Sequence, residues 1–155
     1  MSINIRIWVE ISHQAAFRAG GWAFVLAEGS ALSGVAGGDR APAAAPIALA
    51  GLIEALKGAP AGSTVEVRSA SAAVLAIPRQ LADAGGAPDS DLDLWTQLAA
   101  AMKGRAVRFA PTSVQPRTPA AFAAAWAELA RDKAKTRPFH AAIPKVNLAK
   151  AGVPA

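Results

Sequence analysis

The chain has 155 residues, 53% of them hydrophobic, and a formal net charge of +5. That length suits one domain with a full core, although alanine supplies much of the apolar fraction and buries little area per residue. Cysteine is absent and His13 and His140 are the sole imidazoles, which excludes a disulfide frame, a thiolate metal site or nucleophile, and a histidine-rich metal centre.

Ile3, Ile5, Ile7, Val9 and Ile11 alternate with Asn4, Arg6, Trp8 and Glu10. This is the period of a strand, with Glu10 on the face opposite the isoleucines. A hairpin is expected next, Gly21 to Ala27 and Ala31 to Gly37 around a Glu28-Gly29-Ser30 turn. Gly37 to Pro42 reads as a break in the chain. A helix over Ala44 to Lys57 follows, tolerating Pro46 in its first turn. After Gly58 to Gly62, Thr64 to Ser69 reads as a fourth strand, and Ser71 to Leu81 as a short helix disturbed by Pro78. Ala84 to Pro88 reads as a loop, and Ser90-Asp91-Leu92-Asp93 as a capping-box-like start for a helix to Lys103. Ala106 to Phe109 is a short fifth strand. Thr118 is the expected cap, and Pro119 the first position, of a helix through Lys135. A three-strand meander followed by helix-strand units predicts an α/β domain over residues 1–135, built on a five-stranded mixed sheet flanked by helices. Residues 136–155, with Pro138, Pro144 and Pro154, read as an irregular basic tail packed on the domain or trailing from it.

Charge is unevenly spread. Residues 1 to 130 carry ten Lys/Arg and ten Asp/Glu, so the excess lies in Arg131, Lys133, Lys135, Arg137, Lys145 and Lys150 against Asp132. Such a tail could serve as a phosphate-binding arm through counterion release or as a solvated segment that keeps the chain soluble. Arg68, Arg117, Lys133, Lys135 and Arg137 are the candidate nucleic-acid contacts, with Arg105 and Arg108 as further surface cations. Trp8, Trp22, Trp95 and Trp126 sit on amphipathic strands and helices, which favours core packing over base stacking. His13 lies where a phosphate contact is conceivable, but solvation is the plainer reading. The longest uncharged run, Ala41 to Ile53, is short and holds Pro42 and Pro46, so no membrane span or signal segment is read and a bacterial cytoplasm is the expected location.

Several segments, in order, resemble the ribonuclease H family. Glu10 followed by Ile11-Ser12 stands where the family ends its first strand with a catalytic aspartate followed by Gly-Ser. Gly20-Gly21-Trp22 is similar to its Gly-Gly-aromatic second strand, and Ala48 to Lys57 to the end of its first helix. Val65 to Ser71 is similar to its fourth strand and the turn beyond, Asp93-Leu94-Trp95 to its Asp-Leu-Trp helix start, and Ala127-Glu128-Leu129-Ala130-Arg131 to its final helix.

Carried over position by position, the resemblance puts the four metal-binding carboxylates on Glu10, Ala45, Ala70 and Ala127, three of them alanine. The family's Asn-Asn pair falls near Ala41-Pro42, and its flexible histidine loop reads Ala110 to Arg117, without histidine. Two-metal hydrolysis needs carboxylates holding two divalent ions about 4 Å apart, and a lone carboxylate has little hold on magnesium. The resemblance therefore implies a degenerate protein that has kept the fold and lost hydrolysis, a pseudoenzyme without cofactor. Glu10 is then a vestigial catalytic position and weak metal candidate, and the remaining role is binding of nucleic acid, RNA/DNA hybrid included, or of a protein. One alternative is an active, magnesium-dependent ribonuclease H with displaced ligands. Another is a dimerising structural protein whose vacated apolar cleft is closed by a second copy.

Overall fold

The computed structural model describes residues 3–83 and 91–154. Six strands form one sheet in the order β5, β4, β1, β2, β3, β6. β1 (Asn4–Gln14), β2 (Ala19–Glu28) and β3 (Ala31–Arg40) make the antiparallel meander. β2 and β3 are joined by Gly29 and Ser30, with Gly29 at φ +60, the backbone that a two-residue hairpin asks of its first turn residue. β4 (Thr64–Ser69) lies parallel to β1, and β5 (Ala106–Pro111) parallel to β4. β6 (Phe139–Ala142) runs antiparallel to β3, with Val35 opposite Ala142.

This sheet has one strand more than the sequence suggested, and the extra strand comes from the supposed tail. Pro138 and Pro144 flank β6 without entering it, as an edge strand permits. Beyond it α6 (Lys145–Leu148) folds back, and Ile143, Leu148 and Ala151 are buried with Trp8, Val25, Ala27 and Ala120. Of the two dispositions open for this segment, packed on the domain or trailing from it, the packed one is found, and its first part is a regular strand rather than irregular chain. The expected break at Gly37 is also absent, because β3 runs on to Arg40.

Alternation along β1 sorts the two faces. Ile5, Ile7 and Val9 join Phe24, Leu26, Val65 and Val67 in the main core. α1 (Ala44–Lys57) covers it with Leu49, Leu52 and Leu56, helped by Val74 of α2 (Ala72–Leu75), Ile77 of α3 (Ile77–Ala82), and Trp95 and Leu98 of α4 (Leu92–Met102). Pro78 divides the helix expected over Ser71 to Leu81 into α2 and α3, with Ser71 Oγ accepting the Val74 N–H. α4 begins after Asp91, which adopts φ 61 and makes no side-chain cap. Ser90 and the Ala84 to Pro88 loop lie outside the described residues.

The opposite face carries α5 (Pro119–Ala134) across β1, β2 and β3. Thr118 Oγ1 accepts the Ala121 N–H, the expected cap. Contact here is flush: Ala123, Ala127 and Ala130 are wholly buried, and a Cβ on Gly21 would stand 2.2 Å from the Ala127 carbonyl oxygen. Small side chains on both partners let helix backbone rest on sheet backbone.

Candidate functional site

Glu10 lies on β1 opposite Ala23 of β2. Parallel pairing between β1 and β4 ends at Trp8 and Arg68, and the Glu10 carboxylate closes the fork beyond that point. Its Oε2 accepts the Ala70 backbone N–H at 2.8 Å, and Oε1 a long bond of 3.5 Å from Ser69 Oγ. Ser69 Oγ also accepts the Ser71 N–H at 3.0 Å. Glu10 is only 3% exposed. Burial pushes its carboxyl up from 4.5 to about 7, against the smaller opposing effects of the Ala70 and Ser69 hydrogen bonds. Desolvation outweighs two donors because neither brings a full positive charge.

Glu10 pairs with neither Arg6 nor Arg68. Arg68 Nε meets Glu66 Oε1 at 2.5 Å, and Arg108 reaches the other Glu66 oxygen at the same distance. Hydrogen bonding from Arg68 is the main cause holding the Glu66 carboxyl below its usual range. The Arg6 and Arg68 guanidiniums stand 5.4 and 5.7 Å from the Trp8 ring centre, in cation–π range.

Of the other three positions to which the resemblance assigns carboxylates, only Ala70 adjoins Glu10 through a hydrogen bond. Ala45 is exposed on the first turn of α1, Ala70 is half-buried and offers its backbone N–H to Glu10, and Ala127 is wholly buried against Ala23 and Ala36. Among the described residues, no group of three or more His, Cys, Asp or Glu could hold a metal ion. A lone carboxylate with both oxygens already engaged does not fit the ligand demands of a divalent pair.

The cations named from sequence fall into separate neighbourhoods. Arg105 is structural, its Nε and Nη2 donating to the Ala59 carbonyl and its Nη1 to that of Ala101. Arg117 is exposed at φ 64, its carbonyl packed under Gly152. Lys145 Nζ donates to the Leu32 carbonyl near the β2–β3 turn, whereas Lys133, Lys135 and Arg137 lie at the opposite end of the sheet. The basic tail is therefore two groups of charge rather than one arm.

At that far end the β1–β2 connection, a 3₁₀ turn over Ala15–Phe17, holds Phe17 53% exposed. Lys135 Nζ sits 4.3 Å from its ring centre. Arg40 ties the region together, donating to the carbonyls of Phe17 and Lys135 at 3.4 and 2.8 Å. Arg131 donates to Ser12 Oγ at 2.7 Å and pairs with Asp132. Lys133 and Arg137 line an open groove of about 420 Å³ with Asp132, Thr136, Pro138 and Phe139. His13 Nε2 lies 2.9 Å from the Ala41 carbonyl, a fold contact within the same neighbourhood. His140 faces Glu54 at 3.5 Å and the edge of Trp22. Trp8, Trp22 and Trp95 are buried, as expected of core residues. Phe17, Arg18 and Arg40 carried no sequence signal, since their significance arises only where three distant segments meet.

No protein-family model matches the chain, and no curated protein matches it in sequence. Solved structures do. LC9-RNase H1, described as a type 1 RNase H with the type 2 active-site motif, aligns over 97% of this chain and 86% of its own, with a TM-score of 0.63 and 14% identity. The N-terminal RNase H domain of Rv2228c from Mycobacterium tuberculosis, solved as a fusion with maltose binding protein, aligns over 87% of this chain and 98% of its own, with a TM-score of 0.64 and 18% identity. The chain has the ribonuclease H fold. No helix among the described residues is long and apolar enough to cross a membrane.

Proposed function

We propose that this protein binds nucleic acid on a ribonuclease H fold and does not hydrolyse it by the two-metal route. The observation that carries this reading is the state of Glu10: a single buried carboxylate, engaged by Ala70 and Ser69, with alanine at 45, 70 and 127. Hydrolysis of that kind requires a hydroxide generator and a leaving-group stabiliser held by several carboxylates at once. Glu10 instead joins the start of the β4–α2 turn to β1. The cations left free of carboxylate partners favour phosphate contact, which rests on charge and asks nothing of Glu10.

A fluorescently labelled RNA/DNA hybrid with magnesium or manganese tests both halves. Binding at low salt without cleavage is the expected result. Cleavage that disappears in Glu10→Ala would overturn the non-hydrolytic reading, and that variant also controls for contaminating nuclease. Undetectable hybrid and single-strand binding would overturn the binding reading.

A further inference from the structure

We infer that the surface formed by the Ala15–Phe17 turn and the carboxyl end of α5 is a docking site for single-stranded nucleic acid, with Phe17 as the platform for an unpaired base. This rests on the nucleic-acid reading above and goes beyond it in placing the ligand away from Glu10.

Phe17 is a large apolar ring left half open to water at a turn, where the sheet has no use for it. It is nonetheless held in place. Arg40 bonds its carbonyl and, through the Lys135 carbonyl, fastens the turn to α5. Arg18 follows in the left-handed region at φ 49, and the Ala41 N–H donates to its carbonyl at 2.8 Å. Lys135 Nζ stands over the ring, 4.3 Å from its centre, so the base would take the other face. A base stacking on an aromatic face, with cations alongside for the flanking phosphates, is the chemistry of single-strand binding. A duplex keeps its bases stacked on each other and would use the cations alone.

The electrostatics agree. The carboxyl end of a helix ordinarily repels anions, but the Lys135 carbonyl is covered by Arg40. Asp39 is turned to the Arg40 backbone N–H, and Asp132 is paired with Arg131 and Lys135. Arg18, Lys133 and Arg137 have no carboxylate partner among the described residues, and two of them line the groove beside Phe139.

Fluorescence anisotropy with a labelled oligo-dT of about 12 nucleotides, within the usual site size, reads the proposal. Phe17→Ala should weaken binding about tenfold with an unchanged salt slope, as expected for loss of stacking. Lys133→Glu with Arg137→Glu should weaken binding and flatten the salt slope by about 1.4 or more. Lys145→Glu with Lys150→Glu makes the same charge change at the other end of the sheet and should leave affinity within about twofold of the parent. Circular dichroism melts confirm that each variant is folded.

Oligo-dT binding that survives in both the Phe17 and the Lys133/Arg137 variants overturns the proposal and leaves the nucleic-acid reading intact. So does binding of hybrid without binding of oligo-dT. Displacement of oligo-dT by polyglutamate at equal affinity, with Phe17→Ala silent, would identify an acidic-peptide surface and overturn it as well. Binding of neither oligo-dT nor hybrid would remove the reading on which it rests.

Discussion

The Ala70 N–H donates to Glu10 Oε2 at 2.8 Å, joining the end of β4 to the middle of β1 just where the two strands part. A carboxylate in that position has a structural use whether or not it ever meets a metal. Its position in the fold makes it titrate within the physiological range, because burial raises it to about 7.

From this follows a sign for the pH dependence. Between the ordinary value of 4.5 and the folded value of about 7, the folded chain holds a proton that the unfolded chain has released. Stability therefore falls as pH rises through that window, by at most about 3 kcal/mol. Glu10→Gln keeps the shape and removes the titration, so its melting temperature should fall less than the parent's between about pH 5 and pH 7.5. Glu66 and Asp132, held low mainly by Arg68 and Arg131, lose their contributions only as pH falls through the acid range, outside this window. Parallel melting curves for parent and Glu10→Gln across the window would refute the assignment.

Gly21→Ala should be costly. Its new Cβ would stand 2.2 Å from the Ala127 carbonyl oxygen and 2.3 Å from the Arg131 nitrogen, both backbone atoms that cannot rotate aside. Overpacking of this kind costs about 1–3 kcal/mol, and here α5 would have to lift as a body. Urea denaturation should show a lower midpoint, while an unchanged midpoint would mean the interface is looser than described.

Leu148→Ala tests the role of the last segment. Leu148 is buried with Trp8, Val25 and Ile143, so truncation should cost about 2–5 kcal/mol. An irregular trailing segment would register no more than about 0.5 kcal/mol.

Placing acids at the positions to which the resemblance assigns carboxylates should not be uniform in cost. Ala45→Glu falls on an exposed first turn and should stay within about 0.5 kcal/mol of the parent. Ala127→Asp buries a carboxylate among Ala23, Ala36 and Ala130, and should cost several kcal/mol. Equal midpoints for the two variants in chemical denaturation would contradict the packing at 127.

Local features were the most legible. The α1 helix, with Pro46 in its first turn, and β4 between Thr64 and Ser69 lie where propensity and punctuation put them, because each is specified by its own residues. Gly37-Gly38 misled for a physical reason. A Cβ on Gly38 would meet the Ala130 carbonyl at 2.5 Å, so that glycine makes room for α5 within a continuing strand. β6 was illegible because its partner, β3, lies about a hundred residues earlier. At the site, Glu10 could be singled out as a lone acid on a polar face, but its acceptance of the Ala70 N–H depends on where β1 and β4 diverge. Along the sequence Lys133 and Lys145 belong to one run of positive charge, and only the antiparallel return of β6 separates them.

The second core unites Trp8 near the start of the chain with Leu148 and Ala151 near its end. Ile143, Leu148 and Ala151 share the cover of Trp8 and Val25 with α5, and they follow β1 to β5 in the chain. A chain that lacks them would leave part of that apolar patch beside an unpaired β3 edge, where association with another chain competes with folding. Gly152, whose φ of +78 brings it against the Arg117 carbonyl, is part of the latch that closes that patch.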